Sequence, residues 1–305
     1  MESTKCPICK SQNTSEWYSA DIDISKLTFT YEFSPESQKT FRVVRCHNCT
    51  HAFCFPLPKN IYKNYEDVVD QKYLHHSKSR KLSAQAVLSI IRPYAQNGML
   101  LDVGCATGDF LAVARDLGYH AEGLELSRWS SKITRKKGIK VYQDRLKSLA
   151  RQFPAKYDII TLWGVIEHFE NPADEMRYIN RLLKPSGLLV LWTGDVNGVM
   201  SRLLGRRWWY WQGQHVQYFT HKSLNYLAKL SGLEYIATKI YPIAAIYEQI
   251  DNSLSRYKFK QYIMWMIRLM FTIKSVWFVR LPGEMLWLAR KKAERPQYPI
   301  NNECK

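Results

Sequence analysis

Two close pairs of cysteines stand near the start of the chain, Cys6-Pro7-Ile8-Cys9 and Cys46-His47-Asn48-Cys49. Each pair can wrap two thiolates around one face of a tetrahedral ion, and together they complete a four-thiolate zinc site. Such a site leaves no position open for a substrate, so the zinc is expected to be structural. His51 and Cys54 follow closely enough to be alternative ligands. Strand-like stretches at 17–24, 27–33 and 41–45 fill the long interval between the knuckles.

A second group of residues lies in the run Leu100-Leu101-Asp102-Val103-Gly104-Cys105-Ala106-Thr107-Gly108-Asp109. The small residues Gly104, Ala106 and Gly108 let the backbone approach a ligand at the carboxyl end of an apolar strand. A dinucleotide fingerprint needs glycine at position 109, where Asp109 stands, which argues against a nicotinamide cofactor. Asp102 would repel a pyrophosphate and suits a ligand carrying an amine or sulfonium cation. Glu125 follows the next apolar run, where doubly wound folds bind ribose hydroxyls, and Asp144 could accept from an adenine amino group. His168 and His215 are the candidate general bases, because a histidine can take a hydroxyl proton near neutral pH.

These residues need a scaffold that collects them at one edge. Apolar runs at 99–103, 120–126, 157–163 and 187–192 alternate with amphipathic segments, the pattern of a buried parallel sheet covered by helices. Asn171-Pro172 opens a helix whose Met176, Ile179, Leu182 and Leu183 recur at helical spacing, and Lys184-Pro185-Ser186-Gly187 ends it. Residues 220–230 read as a helix, 233–241 as a strand, and 285–290 as its antiparallel partner, which makes 242–283 an insertion. At 305 residues the chain fits one large domain with an appendage. Its net charge of +17 favours anionic surroundings without choosing among nucleic acid, lipid headgroups and phosphorylated ligands. The polar start lacks a secretory leader, so a cytoplasmic location is expected.

The motifs in combination resemble the class I S-adenosylmethionine-dependent methyltransferases. Asp102-Val-Gly104-Cys-Ala106-Thr-Gly108 is similar to that family's first motif, with Ala106 in place of its commonest glycine. Leu182-Leu183-Lys184-Pro185-Ser186-Gly187 is similar to its Leu-Lys-Pro-Gly-Gly turn, with Ser186 in place of the first glycine. The resemblance implies S-adenosylmethionine as cofactor, held by Asp102, Gly104, Ala106, Gly108, Glu125, Asp144 and Trp163. It also implies an α/β, Rossmann-like seven-stranded sheet, mostly parallel and ending in an antiparallel hairpin. The expected organisation is a zinc ribbon at 1–58, a helical linker and lid at 59–98, and the methyltransferase domain at 99–305 with a helical insertion at about 243–283. Glu167-His168 and Gln214-His215 are similar to the branch of quinone and sugar O-methyltransferases. Some relatives bind a divalent metal through Glu-x-x-Glu-His and a later histidine. Here Gly164 replaces the first carboxylate, so no metal is expected there.

The expected acceptor is therefore the hydroxyl of a small molecule, a sugar or a lipid-linked glycan. Arg206-Arg207-Trp208-Trp209-Tyr210-Trp211 should cover it. Basic and aromatic residues at 262–281 suit either a helical cap on the sheet or peripheral contact with the inner face of a membrane, and no uncharged run is long enough to span one. Clustered cations between Arg128 and Arg151 raise a rival reading, RNA methylation. The Asn-Pro-Pro-Tyr type of element is absent, which disfavours it. A non-catalytic cofactor-binding scaffold is a further alternative.

Overall fold

The computed structural model describes residues 4–22, 29–31, 39–58, 60–254, 257, 259–270, 276–280 and 282–293. Strands β1 (Thr14–Tyr18), β2 (Val43–Cys46) and β3 (Ala52–Cys54) open the chain. The expected strand at 27–33 falls mostly outside the described residues. Three helices follow: α1 (Ile61–Glu66), α2 (Gln71–His75) and α3 (Ser77–Ile91). The alternation then begins with β4 (Met99–Val103), α4 (Asp109–Asp116), β5 (His120–Leu124), α5 (Arg128–Lys136), β6 (Lys140–Tyr142) and α6 (Leu146–Gln152). It continues through β7 (Tyr157–Trp163), α7 (Pro172–Leu182), β8 (Leu183–Gly194), α8 (Val199–Leu204), β9 (Gln217–Tyr218), α9 (His221–Leu230) and β10 (Leu233–Lys239). The last part holds β11 (Ile243–Ile246), α10 (Tyr247–Leu254), α11 (Lys260–Met270), β12 (Val276–Val279) and β13 (Glu284–Lys291).

Seven strands form one sheet in the order β10-β13-β8-β7-β4-β5-β6. The five from β8 to β6 run parallel, and β13 pairs antiparallel with both β8 and β10. Successive residues of a strand point to opposite faces, so its apolar runs feed two layers. Leu100 and Ile159 pack with Leu88 of α3 and Leu111 of α4, while Leu101 and Ile160 pack with Leu149 of α6 and Met176 and Ile179 of α7. The helices start where the side chains dictate. Asn171 accepts the Asp174 N–H ahead of Pro172, and Thr220 and Ser223 form a reciprocal capping box at α9.

The structure departs from the sequence reading in three places. Helix α3, expected in a linker, covers the sheet: Val87 and Ile91 pack on Leu188, Val190 and Leu286. The insertion is not all helical, because β11 and β12 pair within it; the run Val276-Trp277-Phe278-Val279 is β-branched and aromatic, which favours a strand. The cysteine-bearing strands also recruit a partner from far along the chain. The second sheet has the order β1-β2-β3-β9, and Ala52 and Phe53 pair with Tyr218 and Gln217.

Candidate active site

At the carboxyl ends of the parallel strands, where the strand order reverses, lies a cavity of about 400 Å³. Its floor is the turn after β4. Gly104 sits at φ +68° and Ala106 at φ +45°, in the left-handed region. A Cβ at Gly104 would stand 2.6 Å from Val165 Cγ2, so no larger residue fits that bend. Gly108, also left-handed, caps α4 and is not part of the cavity wall.

Glu125 directly follows β5 and lies against this turn. Its Oε2 accepts the Ala106 N–H at 2.8 Å, and its Oε1 accepts the Ser127 N–H at 2.8 Å and the Tyr31 hydroxyl at 3.2 Å. Burial raises its pKa above the usual carboxylate range. Asp144 lies on the same wall, half-buried, with Oδ1 accepting the Arg145 N–H at 2.7 Å. Trp163 completes this end, packed between Phe110 and Tyr241. Its indole N–H is buried and has no partner among the described residues, a costly state that an acceptor atom of a ligand would relieve. Asp102 is placed differently from its expected role: it lies beneath the wall, accepts the Thr161 hydroxyl at 2.6 Å, and has its pKa pushed up to about 8 by burial.

The other end of the cavity gathers both histidines. His215 Nδ1 is 2.8 Å from the Tyr210 carbonyl oxygen, which can only accept, so Nδ1 carries the hydrogen and Nε2 keeps its lone pair. No hydrogen bond to Nε2 occurs among the described residues. His168 Nδ1 is 2.8 Å from the Gln214 carbonyl and 2.9 Å from the Tyr65 hydroxyl. The imidazoles stack edge to face with centroids 4.9 Å apart. Burial lowers His168 to about 4, and burial together with His168 holds His215 well below its ordinary value, so both are neutral near pH 7.

Glu167 accepts the Tyr210 and Thr193 hydroxyls, and burial pushes it up to about 7. Donor atoms of Glu167, His168 and His215 lie within 4.8 Å of one another, although no carboxylate stands at position 164.

The described cavity thus brings together Gly104, Ala106, Glu125, Asp144, Trp163, His168 and His215, and leaves Asp102 and Gly108 behind the wall. Sequence reasoning missed Tyr31, Tyr65 and Glu284. The first two come from segments expected to form a ribbon and a lid, and Glu284 carries no motif. Of the aromatic run, Trp209 and Tyr210 line the cavity, whereas Trp208 and Trp211 are buried against Val43 and Cys54. Part of the basic zone is internally paired: Lys137 with Asp109, Lys140 with Glu122, Arg128 with Glu66 and Asp67, and Arg145 with Glu66.

Apart from the cavity, the sulfurs of Cys6, Cys9, Cys46 and Cys49 lie within 4.8 Å of one another. Cys6 and Cys49 are 3.6 Å apart, and Cys9 and Cys46 are 3.5 Å apart, close to the ~3.8 Å edge of a tetrahedron with ~2.3 Å metal–sulfur bonds. A zinc ion fits this donor set. His51 Nε2 instead meets Gln217 Oε1 at 2.8 Å, and Cys54 Sγ faces the His215 carbonyl at 3.6 Å.

Over 105 residues the chain is 30% identical to the ubiquinone biosynthesis O-methyltransferase of Leptothrix cholodnii, covering 32% of this chain and 45% of that one. It is 35% identical over 97 residues to the enzyme of the same name from Bordetella bronchiseptica, covering 29% and 39%. The chain thus spans less than half the length of these curated relatives. Among solved structures, a SAM-dependent methyltransferase from Archaeoglobus fulgidus superposes with a TM-score of 0.50 at 19% identity, covering 73% of this chain and 100% of that one. A chain of the Haloferax volcanii complex between the Trm112 methyltransferase activator and a methyltransferase gives 0.53 at 14% identity, covering 77% and 99%. These two likenesses show the fold. The methyltransferase domain family matches residues 73–238, more than half of the chain, and takes in the turn after β4, Glu125, both histidines and every parallel strand. The chain belongs to the methyltransferase domain family.

Proposed function

We propose that this protein is an S-adenosylmethionine-dependent methyltransferase acting on a hydroxyl of a small molecule, and that its four cysteines hold a structural zinc. The observation that carries the reading is the joining of Glu125 and the turn at Gly104–Ala106 with a neutral, open-faced His215 in one cavity. S-adenosylmethionine supplies a methyl group on a sulfonium. Glu125 and Asp144 would hold its ribose and adenine. His215 Nε2 is the group that takes the acceptor's proton, and Glu167, within 4.8 Å, offsets the charge this creates. Family membership and the O-methyltransferase relatives support the assignment.

RNA methylation is the weaker reading, because the relatives above are ubiquinone biosynthesis O-methyltransferases and, among the described residues, four of the nine cations between Arg128 and Arg151 are paired with neighbouring carboxylates. Peripheral membrane contact has one supporting feature: Phe259, Tyr262, Trp265 and Met266 are exposed at helical spacing in and just before α11. No helix among the described residues is long and apolar enough to cross a membrane.

Incubation with isotopically labelled S-adenosylmethionine and fractionated host extract tests the reading. The wild type should label a small-molecule fraction, and His215→Gln should lower the rate by about 10²- to 10⁴-fold while still binding the cofactor. A His215→Gln protein with the full rate would remove His215 as the base. Label found only in RNA would replace the acceptor class.

A further inference from the structure

The acceptor end of the cavity gathers more carboxyl groups than a hydroxyl requires. Glu284, the first residue of β13, turns its carboxylate into the wall, where Oε2 accepts the Trp192 indole N–H at 3.0 Å and Oε1 accepts that of Trp209 at 2.8 Å. Glu167 lines the same cavity, and the charge of Glu284 reaches it and favours its protonated form. Both are held by neutral donors alone: two indoles for Glu284, two hydroxyls for Glu167. Neither has an ion-pair partner among the described residues. Among the described residues the wall holds Glu125, Asp144, Glu167, Glu175 and Glu284 against one guanidinium, that of Arg145.

A buried carboxylate without a cation is costly, and two within range of each other cost more. After Glu125 and Asp144 are given to the cofactor and Glu175 to the neighbouring Arg145, Glu167 and Glu284 remain without a cation among the described residues; burial pushes both up to about 7, and a cation entering with the acceptor would favour their charged form. A second feature points the same way. His215, 7% exposed, presents an unpartnered Nε2 lone pair to the same space. Glu167, Glu284 and His215 thus turn acceptor atoms into the space that Trp192, Trp209 and Tyr210 also line.

We infer that the acceptor carries a protonated amine as well as the hydroxyl that is methylated, and that Glu284, with Glu167, binds this ammonium group between the indoles of Trp192 and Trp209. An amine-bearing, polyhydroxylated molecule such as an amino sugar has the matching chemistry: N–H and O–H donors for the acceptors, and a cation for the carboxylates. Glu284 is thus a specificity-determining residue. This inference rests on the methyltransferase reading above, and the experiment separates the two.

The wild-type chain is first saturated with S-adenosylhomocysteine, followed by calorimetry, and is then titrated with glucosamine and, separately, with glucose. Absence of S-adenosylhomocysteine binding would count against the methyltransferase reading itself. Given that binding, glucosamine should bind roughly ten-fold or more tightly than glucose, the effect of one charge-assisted hydrogen bond, and Glu284→Gln should abolish the difference. Equal binding of the two sugars, binding of neither, or a preference that survives Glu284→Gln in a protein still binding S-adenosylhomocysteine would overturn the inference. Acetylating the amines of the host extract provides an independent check: labelling of the extract should be lost, and labelling that persists would equally overturn it.

Discussion

Glu125, Glu167 and Asp102 are buried beside neutral donors, and Glu284 is half-buried beside two more. The cost falls on the charged form, and so the pKa rises: to about 7 for Glu167 and Glu284 and about 8 for Asp102. The sign of the consequence follows from linkage. A carboxyl whose folded pKa lies above its unfolded value stabilises the fold while protonated, and this contribution is lost as pH rises through the folded pKa. The buried histidines act in the opposite sense, since their folded pKa values are depressed and their contribution is lost as pH falls below about 6.5 toward 4. Above about pH 6.5 the histidine contribution is complete while that of the acids is still being lost, so the melting temperature of the ligand-free chain should fall between about pH 6.5 and pH 8. Glu284→Gln should flatten that alkaline slope. A melting temperature that holds constant or rises over that range would contradict the assigned protonation of these acids.

Tyr31 links a segment of the N-terminal module to the cofactor end of the cavity. Its hydroxyl donates to Glu125 Oε1 and accepts from the Ser130 hydroxyl at 3.0 Å, and its backbone N–H reaches Asp70 Oδ2 at 3.1 Å. A ribose hydroxyl seeking Glu125 must compete with this contact. Tyr31→Phe should therefore tighten S-adenosylmethionine binding several-fold in calorimetry, whereas weakened binding would show that Tyr31 assists the ligand instead. The parallel strands were legible because their burial leaves apolar runs: Met99–Val103 and Tyr157–Trp163 have the boundaries read from the sequence, and His120–Leu124 differs only at its end. The turn after β4, Glu125 and His215 were legible because they occupy fixed places relative to those strands. Tyr31, Tyr65 and Glu284 were not, since a lone side chain delivered from a distant element leaves no periodic signal. Strand β9 escaped for a similar reason: two residues, Gln217 and Tyr218, become a strand only through their partner β3.

That pairing ties the cysteine-bearing sheet to the chemistry. Cys54 N–H donates to the Val216 carbonyl at 2.9 Å, and Val216 N–H donates to the Glu167 carbonyl at 2.9 Å, so β3 braces the segment that bears His215. The surrounding core is continuous, with Val43, Ala52 and Cys54 packed on Trp208, Trp211 and Tyr218. Purified protein should contain about one zinc per chain, and Cys46→Ser should lose it. Removal of the metal by a chelator should lower the melting temperature and reduce methyl transfer more than cofactor affinity, because the braced segment belongs to the acceptor end. A chelated protein with unchanged melting and transfer would show that the ribbon neither binds zinc nor supports the site.

In the proposed function Glu125 is the residue that holds the cofactor: the sheet places it, the turn at Ala106 orients it, and Tyr31 of the N-terminal module covers it. Calorimetric titration of S-adenosylmethionine into the wild type should give a single site, and the same titration into folded Glu125→Gln should show affinity at least about ten-fold weaker, through loss of a charge-assisted hydrogen bond. Equal affinity in the two proteins, or no binding to the wild type, would contradict the assignment of this cavity to S-adenosylmethionine.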